Sequence, residues 1–176
     1  ELGKINCGGV PMAIGVQTDM ATPALARFGS KELRDEFLTP AIAGEYVASI
    51  AVSEPHAGSD VAAIKTTARK DGDDYIINGT KMWITNAQYA DVAYVYTRTG
   101  EDRKNLSTFI VEKGTPGFSA GKPIHKMGMR SSPTGELIFE NAKVASSQLV
   151  GKEGDSVYHM MKNLDIERIT IAGISL

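Results

Sequence analysis

Three short segments of this chain carry residue types suited to chemistry. The first, Ser53-Glu54-Pro55-His56-Ala57-Gly58-Ser59-Asp60, follows a short apolar run. Pro55 sets the direction in which the chain leaves that run, and Gly58 permits a tight turn or a close backbone approach. The hydroxyls of Ser53 and Ser59 and the loop's N–H groups suit an anion, although an ordinary turn has the same composition. The second is Trp83-Ile84-Thr85-Asn86, which holds the only tryptophan. Residues two apart on a strand share a face, so Trp83 and Thr85 set a flat aromatic beside a hydroxyl, an arrangement suited to a planar heterocycle. The plainer reading is that Trp83 fills a β core. The third is Leu164-Asp165-Ile166-Glu167-Arg168. Glu167 lies three residues after Leu164 and four before Ile171, within an apolar helical stripe. A carboxylate there is costly to ionise, which raises its pKa and suits it to general-base work near neutral pH. The competing reading gives Glu167 a structural partner and makes Asp165 and Arg168 a local i,i+3 pair.

Composition narrows the class. Of 176 residues, 42% are hydrophobic and 23% charged, with a net charge of −2. That is ample for a packed core and too balanced for a broad nucleic-acid or anionic-membrane surface. Cys7 is the single cysteine, which excludes an intrachain disulfide framework and a thiolate zinc site. His56, His125 and His159 show no metal-ligand spacing, so no metal is expected. No apolar run is long enough to span a bilayer and no signal peptide opens the chain; a soluble intracellular protein is expected.

Three regions must position these segments. Helical spacing runs from about Met12 to Glu45, broken at Gly29-Ser30, where Ser30 is a cap, and disturbed or ended by Pro40 and Gly44. Strands follow at Val47–Ser53, Val92–Thr97, Thr108–Glu112 and Glu136–Glu140. Asn78-Gly79, between Tyr75–Ile77 and Thr80–Thr85, predicts a two-residue hairpin turn. Short strands without long intervening helices predict an antiparallel barrel or sandwich. From Gly154 a helix returns with the stripe Val157, Met160, Leu164 and Ile171. The start at Glu1 and the uncapped apolar end (Ile169, Ile171, Ile174, Leu176) suggest a piece of a longer protein.

Six segments together resemble the flavin-dependent acyl-CoA dehydrogenases: SEPHAGSD (Ser53–Asp60), DYIINGTKMWITN (Asp74–Asn86), FIVEKGTPG (Phe109–Gly117), MGMR (Met127–Arg130), ELIFE (Glu136–Glu140) and DIER (Asp165–Arg168). The resemblance implies an α+β fragment: the end of an N-terminal helical domain (1–47), an antiparallel β-barrel middle domain (48–151) and the start of a C-terminal helical domain (152–176). It implies FAD as cofactor, lined by Ile50, Val52, Ser53, Ser59, Trp83, Ile84 and Thr85. Ser59, Asp165 and Arg168 would meet the acyl-CoA substrate, and Glu167 would be the base; other family members carry the base on a later helix. The implied reaction is α,β-dehydrogenation of an acyl-CoA thioester to a trans-2-enoyl-CoA, with hydride passed to FAD. LDIER is most like the isovaleryl-CoA branch. An electron-transferring flavoprotein would be the electron acceptor and the assembly a homotetramer. The location would be bacterial cytoplasm or mitochondrial matrix. A catalytically silent flavin- or CoA-binding module and an acyl-CoA oxidase on the same scaffold are the alternatives. Cys7 and His125 receive no role, and His56 is expected to cap the loop or face solvent.

Overall fold

The computed structural model describes residues 2–174; Glu1, Ser175 and Leu176 lie outside the described residues, as does the Ile174 side chain. A short 3-10 turn (Leu2–Ile5) comes first, followed by two proline-bearing helical runs. Helix α1 (Gly9–Gly15) passes through a π-helical segment, Val16–Ala21, into α2 (Thr22–Phe28). Ser30 then caps α3 (Lys31–Leu33), its hydroxyl accepting from the Leu33 N–H at 3.2 Å. A second π-helical segment, Arg34–Leu38, leads into α4 (Thr39–Ala43). Each π segment stands directly before a Thr-Pro pair, Thr22-Pro23 or Thr39-Pro40. Proline has no N–H to donate and crowds the carbonyl four residues back, and a wider turn relieves that crowding. The threonine hydroxyls then donate to carbonyls five residues back, Gln17 O at 2.9 Å and Arg34 O at 3.3 Å. Pro40 therefore disturbs the helix, and Gly44, at φ +82°, ends it.

The strands are β1 (Ala48–Ala51), β2 (Thr67–Asp71), β3 (Asp74–Thr85), β4 (Val92–Arg98), β5 (Leu106–Glu112), β6 (Phe118–Ala120) and β7 (Thr134–Ala145). They form one curled sheet in the order β1-β4-β2-β3-β7-β6, with β5 also paired to β4. The expected antiparallel barrel is met only in part. Both β1 and β2 run parallel to β4, so the sheet is mixed. The stretch between β1 and β4 is long enough for the crossover that a parallel pair requires.

The expected Asn78-Gly79 hairpin is also corrected. β3 runs through both residues as one strand of 12 residues, paired along its length with β7. The hairpin into β3 turns instead at Gly72, whose φ is +63°. The register slips at Asn78-Gly79 in a bulge whose extra residue is on β7: between the pairs Ile77–Ala142 and Gly79–Phe139, Glu140 and Asn141 stand against Asn78 alone, with Asn141 at φ +53°. The Asn78 side chain spans it, accepting from the Asn141 N–H at 2.8 Å and donating to Asn141 Oδ1 at 3.2 Å. The left-handed residue of this bulge is therefore Asn141, while Gly79, at φ +147°, sits where an added Cβ would meet Thr66.

Three cores result. Inside the curl, Tyr75, Ile77, Val95, Phe109, Leu137 and Phe139 pack together. On the outer face of β4 and β5, Tyr94 and Ile110 pack with Leu25 and Phe37 of the helices. Both faces of β4 are thus buried, which is why it reads as an unbroken apolar run. The third core joins Tyr96, Ile64 and Leu106 to Met160 of α5 (Ser156–Ile174). Val157 and Leu164 pack against it, but Ile171 is 41% exposed, so the predicted stripe is covered only along its first part.

Candidate active site

The end of β1, the end of β3 and the middle of α5 converge on one cavity of about 320 Å³. Ile50, Val52 and Ser53 form one wall; Trp83, Ile84 and Thr85 form the second; Met160, Leu164 and Glu167 form the third. Val16, Met20, Gly58 and Val61 complete the rim. Seven of the residues singled out in the sequence therefore meet in one place: Ile50, Val52, Ser53, Trp83, Ile84, Thr85 and Glu167.

Strand alternation does not account for the second wall, because three consecutive residues face the same space. The register of β3 on β7 slips between Lys81 and Ile84, and Trp83 sits at φ +66°. This second bulge turns the indole outward. Trp83 is 58% exposed, so it does not fill the β core. A left-handed bulky residue costs about 1–2 kcal/mol, and such strain concentrates at functional sites. Asn86, also at positive φ, anchors the bulged end: its N–H donates to Pro133 O at 3.0 Å and its side-chain amide to Ala13 O and Ala48 O, each at 3.4 Å.

Helix α5 is held at the site by its contacts with α2. The buried His159 ring stacks on Phe28, with centroids 3.8 Å apart and planes at 13°. Burial pushes the His159 pKa down, which favours the neutral ring. Arg27 donates to Asn163 Oδ1 at 3.3 Å. Glu167, two turns beyond His159, is half-buried. Loss of water raises its pKa; neighbouring Arg168 opposes the rise and Asp19 adds to it. This is the environment expected of a carboxylate in an apolar stripe.

The other predicted residues stand apart. Ser59 is exposed on the loop, outside the cavity lining. Asp165 and Arg168 are also exposed, and their nearest charged atoms are 3.9 Å apart. His56 is partly exposed, with Nε2 3.3 Å from Glu54 Oε2. Cys7 is not among the lining residues, and its Sγ is 2.9 Å from Ser131 Oγ.

Sequence reasoning missed a buried ion pair directly behind the cavity. Glu54 and Lys81 meet at 2.9 Å with side chains 1% and 0% exposed. Burial acts to raise the Glu54 carboxyl, but the Lys81 charge and several N–H donors hold it below the usual range. Burial pulls the Lys81 ammonium down to about 8 against the opposing effect of Glu54, leaving it charged at neutral pH. A signal was available: Tyr75, Ile77 and Lys81 share the inward phase of β3, so the lysine occupies a core position.

Comparison with known proteins decides the family. The model of the acyl-CoA dehydrogenase middle domain matches residues 49–142, and that of the N-terminal domain matches residues 1–45. The chain belongs to the acyl-CoA dehydrogenase family. It is 44% identical over 170 residues to mitochondrial isovaleryl-CoA dehydrogenase of Pongo abelii, covering 94% of this chain and 40% of that protein. The crystal structure of an acyl-CoA dehydrogenase from Geobacillus kaustophilus superposes with a TM-score of 0.90 at 40% identity, covering 93% of this chain and 44% of that one. An FAD complex of PigA superposes with a TM-score of 0.88 at 34% identity, covering 90% and 42%. The chain thus spans about two fifths of the length of these relatives.

Proposed function

We propose that this chain supplies the flavin-facing walls and the base of an acyl-CoA dehydrogenase site, where a thioester is oxidised to its trans-2-enoyl form. The observation that carries this reading is the position of Glu167, a half-buried carboxylate sharing one small cavity with Trp83, Thr85 and Ser53. The residues fit FAD: apolar walls from Ile50, Val52 and Ile84, an outward-turned indole for a flat ring, and the Ser53 and Thr85 hydroxyls for its polar edge. When bound, FAD supplies the two-electron acceptor that a C–C desaturation needs. The FAD complex of a structural neighbour at 34% identity supports the same cofactor here.

The chain's own residues do the rest. Glu167 removes the proton α to the thioester carbonyl, and the partial burial that raises its pKa, in a cavity it shares with Met160 and Leu164, also makes it a stronger base. The reaction further requires hydrogen-bond donors at the thioester oxygen, which stabilise the developing enolate by several kcal/mol, the more so where water is excluded. Ser59, Asp165 and Arg168, exposed outside the cavity, are assigned to the part of CoA that extends towards solvent. A short branched, isovaleryl-like acyl group is favoured, supported by LDIER and by the isovaleryl-CoA dehydrogenase relative. An electron-transferring flavoprotein as acceptor, a tetramer and the domain divisions near residues 47 and 151 belong to the same proposal.

Glu167→Gln tests it. In the flavin-loaded protein the variant should lose about 10²-fold or more of its turnover while keeping its flavin content. Near-normal turnover on an acyl-CoA would refute the base assignment.

A further inference from the structure

The Glu54–Lys81 pair does not line the cavity, yet it joins two of its walls from behind. Lys81 precedes Trp83 by two residues, and Glu54 follows Ser53. Lys81 Nζ donates to Glu54 Oε1 at 2.9 Å and to Val52 O at 3.0 Å. Glu54 also accepts from the Lys65 N–H at 2.6 Å and the Thr66 N–H at 2.9 Å. One residue along each wall, the Met82 N–H donates to Ser53 O at 2.9 Å. Stability alone is a poor reason for this arrangement, since an apolar pair of similar volume is often as stable or more so. Orientation is a better one. The peptide is planar and trans, so fixing the Val52 carbonyl on Lys81 turns the Ser53 N–H the opposite way. Ser53 itself stands on the cavity wall.

We infer that Lys81 and Glu54 are positioning residues for the cofactor: the pair fixes the Val52–Ser53 peptide and the Trp83 bulge in one register, so that both walls meet the same flavin ring. This inference rests on the flavin reading of the cavity given above.

The test compares Lys81→Met, Glu54→Gln and the double variant with the wild-type protein. Thermal midpoints are read by circular dichroism, and FAD affinity by quenching of flavin fluorescence. Each single variant, with one buried polar partner stranded, should lower the midpoint and weaken FAD at least tenfold. In the double variant no uncompensated charge remains, so the midpoint should return to within a few degrees of wild type. FAD binding should stay at least tenfold weaker, because Val52 O still lacks its ammonium donor. That separation of stability from affinity is what a merely structural pair would not produce. A double variant that regains both properties, one that stays unfolded, or a folded single variant binding FAD within twofold of wild type would each overturn the positioning role. If the wild-type protein takes up no FAD, the flavin reading fails and this inference with it. If wild type binds and the variants bind equally, only the positioning role fails.

Discussion

Trp83 offers a direct measure of the strain at the site. At φ +66° its backbone is in the left-handed region, where an L-residue with a Cβ pays about 1–2 kcal/mol. Replacing it by Ala and by Gly removes the same indole in both cases, so lost burial largely cancels between the two. What remains is the left-handed penalty, which Ala retains and Gly escapes, less the roughly 0.5–1 kcal/mol by which Gly loses more chain entropy than Ala. Trp83→Gly should therefore be more stable than Trp83→Ala by about 0–1.5 kcal/mol, centred on about 0.75 kcal/mol, or up to about 6 °C in a protein of this size. At Thr80, an ordinary position on the same strand, the order should reverse, with Ala ahead by about 0.5–1 kcal/mol. Urea midpoints of the four variants, compared at equal slope, read these differences directly. If Ala exceeds Gly at position 83 by the margin found at Thr80, the bulge carries no strain and its reading as a preorganised feature is wrong. FAD affinity should fall equally in both Trp83 variants, since the lost contact is the same.

Two other perturbations probe Glu167 and the close approach at Gly79. Burial raises the Glu167 pKa above the unfolded value near 4.5, so the folded chain retains this proton at a pH where the unfolded chain has released it. Its effect on stability is absent below the unfolded value and becomes a penalty as pH rises through the folded value. Glu167→Gln should therefore gain stability relative to wild type between pH 4 and pH 8 in denaturation midpoints; a difference independent of pH would contradict the burial argument. At Gly79, φ is +147° and an added Cβ would lie 2.7 Å from the Thr66 Cα, a backbone atom that cannot swing aside. Gly79→Ala should cost about 2–4 kcal/mol, and a loss under about 0.5 kcal/mol would mean that the close approach of β3 to Thr66 can relax.

What the sequence revealed and what it hid have physical causes. The capping role of Ser30, the stop at Gly44 and the burial of Glu167 depend on neighbours within a few residues, and local pattern predicts them well. Asn78-Gly79 misled because a turn-prone pair can also stand inside a strand; the choice was made by β7, some sixty residues away, which pairs on both sides of it and itself carries the bulge. The parallel placement of β1 beside β4 is likewise a long-range outcome. At the site, alternation linked Trp83 to Thr85 for the wrong reason: both reach the cavity through a bulge, which brings Ile84 with them. Lys81 was overlooked because a lysine on a strand is usually solvated, although its phase with Tyr75 and Ile77 marked it as buried.

The cavity's location follows from how the cores meet. Ile50 packs against both the helical core built on Tyr94 and the core that anchors α5 through Met160. Between those cores the end of β1 is left partly uncovered, and Val52 and Ser53 are only half-buried there. An apolar strip between two packed bodies, with a strained indole on one side and a desolvated carboxylate on the other, is poorly satisfied by water and well suited to a flat, mostly apolar ligand with polar edges. Filling this gap with larger residues would improve packing, whereas the chain instead places a bulge, two hydroxyls and an acid around it. These local departures from good core design all face one space, which is the pattern expected when stability is given up for binding and proton transfer.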